Sequence, residues 1–236
     1  MDMKNRAVRT AARGGNWEIL MQLVGISVDD ILAYRDAQGC TVLHSASGRG
    51  QVEVVRKLLA SFDIINLTDA QGNTTLHVTS YKGYLSVVEI LIDSSPSLAL
   101  LTNHQGNTLL HMAVAGFTSP GFRRLDKHAE LLKQLIVELL MSVPSIDLNT
   151  CDADGFTPLD LLKQKPRSAW SDILIRQLIF AGGISNHPND AMMARNTLST
   201  DLHLKTSPGT SFRIPYAEIF LYTGIENASD ANYESD

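Results

Sequence analysis

The chain repeats itself about every 33 residues, and a repeat of that length constrains the fold more than any other feature. Gly39, Gly72 and Gly106 are spaced by 33 and 34 residues, and His44, His77 and His111 keep the same spacings. The aligned units read DAQGCTVLHSASGRGQVEVVRKLL, DAQGNTTLHVTSYKGYLSVVEILI and NHQGNTLLHMAVAG, and a later DADGFTPLDLLKQ starts at Asp152. Each unit follows one physical script. Asp-x-x-Gly is a tight turn, with Gly39, Gly72, Gly106 or Gly155 supplying a backbone angle that other residues resist. Thr41, Thr74, Thr108 and Thr157 fit a helix N-cap, and Pro158 sits at the first helical position, where no amide bond is lost. A short helix of small residues follows, 43–47 and its equivalents, closed by Gly50 and Gly83. A second helix carries Val52, Val55, Leu58 and Leu59 on one apolar face. Two such helices cannot hide that face alone, whereas stacked neighbours can.

These residues resemble the ankyrin repeat, whose signature is a turn, then Thr-Pro-Leu-His, then two antiparallel helices. The resemblance covers roughly residues 1–183 and implies an all-α ankyrin-repeat solenoid: stacked helix-turn-helix units with β-turn or hairpin tips. AVRTAARGGNWEILMQLV (7–24) looks like the helix pair of a first, capping repeat without the turn motif, and its Arg13-Gly14-Gly15 matches Gly48-Arg49-Gly50. The expected units are a cap at 1–35, repeats at 36–68, 69–102 and 103–151 (irregular, with an insertion), and a last repeat at 152–183. An irregular tail, 184–236, follows.

The recurring histidine is either a ligand or a brace. A zinc ion would need imidazole nitrogens about 2.0–2.1 Å away. Stacked helices lie about 8–10 Å apart, so equivalent residues of successive repeats cannot converge on one ion. No metal and no cofactor are expected. A neutral imidazole donates from one nitrogen and accepts at the other. The ankyrin resemblance implies that His44, His77 and His111 pair with Thr41, Thr74 and Thr108 of their own units and reach a carbonyl in the next turn. Unit five carries Asp160 at this position. An ionised carboxylate only accepts, which is tolerable if no further turn follows, so the array is expected to end near Gly183.

Gly155 follows Gly106 at a spacing of 49 residues rather than 33. FTSPGFRRLD (117–126) reads as a loop inserted between the two helices of unit four. HAELLKQLI and VELLMSVPSIDLNTCDADG then place two second-helix signatures back to back. One reading is a missing repeat, its neighbours spliced near Ile136–Val137, with imperfect stacking across the joint. The other is a single long second helix.

In the tail, NHPNDAMMARNTLSTDLHLKTSPGTS is polar and turn-rich, a composition expected to be poorly ordered. FRIPYAEIFLYTGIE (212–226) is apolar, with Pro215 able to open a short helix and Gly224 to close it. It reads as a cap folded onto the last repeat or as a docking peptide for a partner. The tail resembles the C-terminus of plant ankyrin-repeat proteins, which suggests a plant source. Ser207-Pro208 matches the common proline-directed phosphorylation dipeptide.

A net charge of −5 argues against a general nucleic-acid binder, and no run of 18 apolar residues offers a membrane span. The N-terminus lacks the apolar core of a signal peptide. Cys40 and Cys151 form no C-x-x-C and read as free thiols in a reducing compartment. The expected location is cytoplasmic or nuclear. No phosphate-binding loop, H-E-x-x-H or G-x-S-x-G motif is present. Cys40 beside His44 is the one pair suggesting a nucleophile and base, and on the repeat reading the histidine is tied up in its helix. The chain therefore reads as a monomeric, non-catalytic scaffold that binds a protein partner through a concave face. The alternative is a soluble form of a membrane-associated plant ankyrin signalling protein. The residues that vary between units, Gln38, Gln71, Asn73, His104 and Asn107 at the tips and Arg13, Arg49, Tyr81 and Lys82 at the first-helix ends, are the candidate partner-binding set. Ala37, Cys40, Ala70, Gln105, Ala153, Asp154, Phe156 and, more loosely, Lys165 are read with them. Arg13, Arg49 and Lys82 would form a basic stripe for an acidic or aromatic-containing surface, with Tyr81 as anchor.

Overall fold

A computed structural model describes residues 3–25, 28–119, 129–135, 146–164 and 168–186. The chain divides into two units, Met1–Met193 and Ala194–Asp236, and every described residue lies in the first. The stretch 120–128, the joint near Ile136–Val137, Lys165, and the tail beyond Asn186 with its segment 212–226 and Ser207-Pro208 lie outside the described residues.

The described elements are α1 (Met3–Gly14), α2 (Trp17–Val24), α3 (Val28–Leu32), α4 (Val42–Ser47), α5 (Val52–Ser61), α6 (Thr75–Lys82), α7 (Leu85–Ser94), a 3-10 turn (Pro96–Leu100), α8 (Leu109–Phe117), a helical stretch α9 over 129–135, α10 (Pro158–Lys163) and α11 (Ala169–Phe180). No strand occurs among the described residues. The tips are tight turns, with one isolated bridge between Thr68 and Thr74. Phe117, read from sequence as the first residue of an inserted loop, is instead the buried last residue of α8.

The short first helices form because a threonine starts each of them. Thr41, Thr74, Thr108 and Thr157 are the N-caps of α4, α6, α8 and α10. Each hydroxyl accepts from the backbone N–H three residues on, satisfying a donor that a helix start otherwise leaves open. Gly83, in the left-handed region at φ 78°, ends α6.

Packing runs as a row. α1 packs on α4, α4 on α6, α6 on α8 and α8 on α10, and α1, α4, α6 and α10 also pack on the helix that follows in their own units. The leucine before each brace position, Leu43, Leu76, Leu110 and Leu159, is buried. So are Ala46, Thr79, Ala113 and Leu162 one turn later, and Val55, Val88, Leu58 and Leu91 on the second helices. Each buried leucine contributes about 2 kcal/mol. Because every unit presents the same positions to its neighbours, these side chains make one continuous core.

The core of α4 and α6 carries a local flaw. The hydroxyls of Thr75, Ser80 and Ser47 are buried and make no hydrogen bond. Val42, Leu109 and Pro158 occupy the position of Thr75 in the other units. Thr75→Val keeps the shape and removes a desolvated hydroxyl, so it is expected to stabilise the fold by about 1 kcal/mol in urea denaturation. A loss of stability would mean that the hydroxyl is satisfied in solution.

Candidate interaction surface and the braces behind it

Each brace is built from the ring outward. The Thr41 backbone N–H donates to Nδ1 of His44 at 3.3 Å, and the Thr41 hydroxyl lies 2.8 Å from the same nitrogen. Nε2 lies 3.0 Å from the Asn73 carbonyl in the next turn. A backbone N–H can only donate and a carbonyl can only accept, so the ring is the neutral tautomer with its proton on Nε2. His77 repeats the pattern with Thr74 and the Asn107 carbonyl, and His111 with Thr108 and the Phe156 carbonyl, each Nε2 contact at 3.0 Å. Burial pushes the pKa of all three rings below its usual value.

The turns are cross-linked as well. In each, one side-chain oxygen accepts from the backbone N–H two and four residues on: Asp36 from Gln38 and Cys40, Asp69 from Gln71 and Asn73, Asn103 from Gln105 and Asn107, Asp152 from Asp154 and Phe156. Successive turns join through Ala70 N–H to the Gln38 carbonyl, His104 N–H to Gln71 and Ala153 N–H to Gln105, at 2.8–3.0 Å. Approach is close enough that a Cβ on Gly39 (φ 77°) would sit 2.8 Å from the Ala70 nitrogen. The irregular joint does not disturb this layer. His111 reaches Phe156 across 45 residues with the same geometry that His77 achieves across 30. The turn of unit five is thus held to unit four as the earlier turns are held to their neighbours, while the joint near Ile136–Val137, where imperfect stacking is expected if a repeat is missing, lies outside the described residues.

The two ends use other chemistry. Counting from Gly15 as from Gly50 puts Arg9 at the histidine position of the first unit. Its guanidinium pairs with the Asp36 carboxylate at 2.5 Å, and its Nε lies 3.4 Å from the Ser45 hydroxyl. Sequence reading passed over Arg9 because the first unit lacks the turn motif, although the glycine register would have found it. At the other end Asp160 does more than fill an unneeded position. Its carboxylate accepts from the Thr157 N–H and hydroxyl, the Ser185 hydroxyl at 2.5 Å and the Asn186 N–H at 3.2 Å. Burial alone would raise its pKa, but the hydrogen bonds from Ser185, Thr157 and Asn186 outweigh it and hold the carboxyl below its usual range. The segment 184–186 thus takes the place that the following turn takes in interior units. Asn149 adds to the clamp by accepting from the Ile184 N–H and donating to the Gly182 carbonyl. Asp160→Ala is expected to cost about 1–2 kcal/mol and to speed amide exchange at Ile184 and Asn186 ahead of the rest of the chain. Unchanged exchange there would show that Asn149 holds the segment alone.

The proposed contact residues fall into two groups. Gln38, Gln71 and His104 are exposed at successive tips, and Arg13, Arg49 and Lys82 are exposed at first-helix ends. Lys82 Nζ lies 5.1 Å from the ring centroid of half-buried Tyr81. Asn73 and Asn107 are only half-exposed. The Asn73 side chain donates to Asp69 and accepts from the Asn103 amide, so it serves the frame, and Asn107 donates to Gln105. Cys40 is half-buried, and burial, with Asp36 next in effect, pushes its thiol up to about 11. Cys151 is exposed and also a free thiol. Among the described residues no cluster of His, Cys, Asp and Glu forms a metal-binding group, and no helix is long and apolar enough to cross a membrane.

Residues 38–70, from the first turn tip to the second, match the family model of the ankyrin repeat. This segment is an ankyrin repeat. Ankyrin repeats typically serve protein–protein interaction and are typically non-catalytic. No curated protein matches the chain. Within the ankyrin repeat at 38–70 the Thr41–His44 brace and the Asp69 turn supply the frame, while Arg49 and Cys40 vary against the neighbouring units; Gln38, expected to vary, is matched by Gln71 and Gln105.

Proposed function

We propose that the chain is a non-catalytic scaffold whose residues 1–183 stack as an ankyrin-repeat solenoid and bind a partner protein through the concave side formed by turn tips and first helices. The observation that carries this reading is the ankyrin repeat at 38–70, set in a row of units with the same braces. The chemistry of the brace layer supports it. Both nitrogens of each histidine are engaged in the frame, and a thiol pushed up to about 11 is a poor nucleophile near neutral pH. Exposed positions at the ends of the first helices vary between units, and at the tips His104 stands where other units carry alanine, as a binding face on a constant scaffold requires. Arg13, Arg49 and Lys82, with Tyr81 alongside, suit an acidic surface bearing aromatic or apolar groups.

Affinity capture with the full chain, followed by mass spectrometry, identifies the partner. Arg49→Glu combined with Lys82→Glu is then expected to weaken capture at least about tenfold, since reversing rim charges removes attraction and adds repulsion. Both side chains are exposed, so the melting temperature should hold. Undiminished capture would remove the basic stripe from the binding face.

A further inference from the structure

α11 is apolar on two sides. Leu174 and Leu178 face the core, and a second stripe points to solvent: Trp170 is 44% exposed, Ile173 44% and Phe180 71%. At 3.6 residues per turn, positions 170, 173, 177 and 180 fall on one line down the helix, turned away from the buried line. Half-buried Gln177 completes the stripe.

The neighbouring second helices show that this is not the side on which units stack. Their buried pairs, Val54 and Leu58 in α5, Val87 and Leu91 in α7, and Leu174 and Leu178 in α11, set a common register. In it, the position of Ile173 holds Glu53 and Ser86, and the position of Phe180 holds Ala60 and Asp93, all four exposed. Those units leave the side to water and furnish it with polar or small residues. α11 furnishes it with an isoleucine and a phenylalanine. No neighbour in the row covers these positions on α5 or α7, so a further unit in the row would not cover them on α11 either. A contiguous apolar stripe left in solvent marks a contact with something outside the row.

The stripe matches itself. Its spacing of three, four and three residues reads the same in both directions and is the a/d pattern of a short coiled-coil seam. A copy of α11 laid antiparallel, with the two-fold axis at Ile175, sets Trp170 against Phe180 of the partner subunit at each end. Ile173 then meets the partner's Gln177 in the middle. Such a contact uses one patch on both subunits. The only charges of α11, Asp172 and Arg176, are of opposite sign and one turn apart, so two copies approach without net like charge along the helix. The three large side chains expose on the order of 350 Å² per copy, and with apolar atoms making up about 60% of an interface the whole patch comes to about 550–600 Å² a side. The pair would bury about 1,100–1,200 Å², at the lower edge of stable interfaces.

We infer that the solvent-facing stripe of α11 is the contact through which a second copy of this chain binds, antiparallel about a two-fold axis, to give a weak dimer. The sequence reading expects a monomer, and the stripe is what departs from it. The contact lies on a second helix, apart from the turn tips and first-helix ends of the proposed partner face, so the dimer carries two copies of that face.

Sedimentation of the full chain over about 1–300 µM tests the inference. The average mass is expected to rise from that of one chain towards that of two, with a dissociation constant on the order of 10–100 µM, as a contact of this size gives. Trp170 passes from half-exposed to buried in the dimer, so tryptophan emission should shift to the blue over the same range. Trp170→Phe should keep the dimer and lose the shift. Phe180→Asp and Ile173→Asp should each weaken association at least about tenfold. Both positions are exposed, so the melting temperature of the dilute protein should hold; if one variant fails to fold, the other carries the test. In a Cys151→Ser background, which removes an exposed thiol, chains with Ile173→Cys should cross-link to chains with Gln177→Cys faster than either does to itself. Faster self-linking would overturn the antiparallel seam. A chain that stays monomeric at every concentration overturns the inference and gives the stripe to another occupant, and a dimer that survives both aspartate variants places the contact elsewhere and overturns it too. The Arg49→Glu, Lys82→Glu protein should dimerise as the unaltered chain does, which separates failure here from failure of the concave-face reading.

Discussion

Replacing His77 by alanine is expected to destabilise the protein by about 3–4 kcal/mol, a large share of the roughly 5–15 kcal/mol that holds a typical domain together. The ring is fully buried. Its removal leaves the Thr74 N–H without the acceptor it uses at 3.2 Å and the Asn107 carbonyl without the donor it uses at 3.0 Å. Each orphaned group costs about 1–3 kcal/mol, and the vacated volume adds a cavity term. The damage crosses the unit boundary, because the Asn107 carbonyl also closes its own turn by accepting from the Asn103 N–H. Urea denaturation of His77→Ala, with Thr74→Val and the double variant completing a cycle, separates the intra-unit bond from the rest. A coupling of about 1 kcal/mol between Thr74 and His77 is expected. A total loss below about 1 kcal/mol would mean that the imidazole is packing rather than a cross-link.

The interior frame could be read from the chain because its physics is local and periodic. A threonine three residues before a histidine makes a cap whatever surrounds it, and the glycine spacing sets which turn the histidine meets. The ends could not be read in the same way. Arg9 performs at long range, through a guanidinium to Asp36, what an imidazole does at short range, and no turn motif precedes it to fix its register. Asp160 looked like a vacancy because its partners, Ser185 and Asn186, lie past the last repeated residue and resemble no turn. Asn73 looked variable and therefore free, but variation at a tip does not distinguish a side chain facing a partner from one tying Asp69 to Asn103. Exposure of Ile173 and Phe180 was equally hidden, since an apolar residue type does not tell which side of a helix the core takes.

Mild acid should loosen the fold well above the range where carboxylates titrate. A histidine in an unfolded chain titrates near pH 6.5. In the fold, burial pushes His44, His77 and His111 below that value, with the nearby Arg35 pushing His44 the same way and Asp36, Asp69 and Asp152 opposing in part. Geometry gives a second reason: protonating Nδ1 would point a donor at the Thr41, Thr74 or Thr108 N–H, which also donates. Between the unfolded and folded values, the unfolded chain binds protons that the folded chain refuses. Stability contributed by the neutral rings is therefore complete above about pH 6.5 and is lost as pH falls below it, levelling off only once the folded values are passed. Each refused proton gives a slope of about 1.4 kcal/mol per pH unit, so three give at most about 4 kcal/mol per unit. Asp160 acts in a separate window: its carboxyl is held low, so its contribution is lost only as pH falls through the acid range beneath the usual carboxylate value. Urea midpoints measured from about pH 7.5 down to about pH 5.5 should fall steeply, and His111→Gln should remove about a third of the slope while lowering stability at neutral pH. A flat midpoint across that interval would show that the rings take up protons in the fold as readily as in the unfolded chain, and with that the bridge from each ring to its threonine N–H would fail. Because the same rings hold one turn tip to the next, the acid that lowers stability should also slacken the row of tips that Gln38, Gln71 and His104 present.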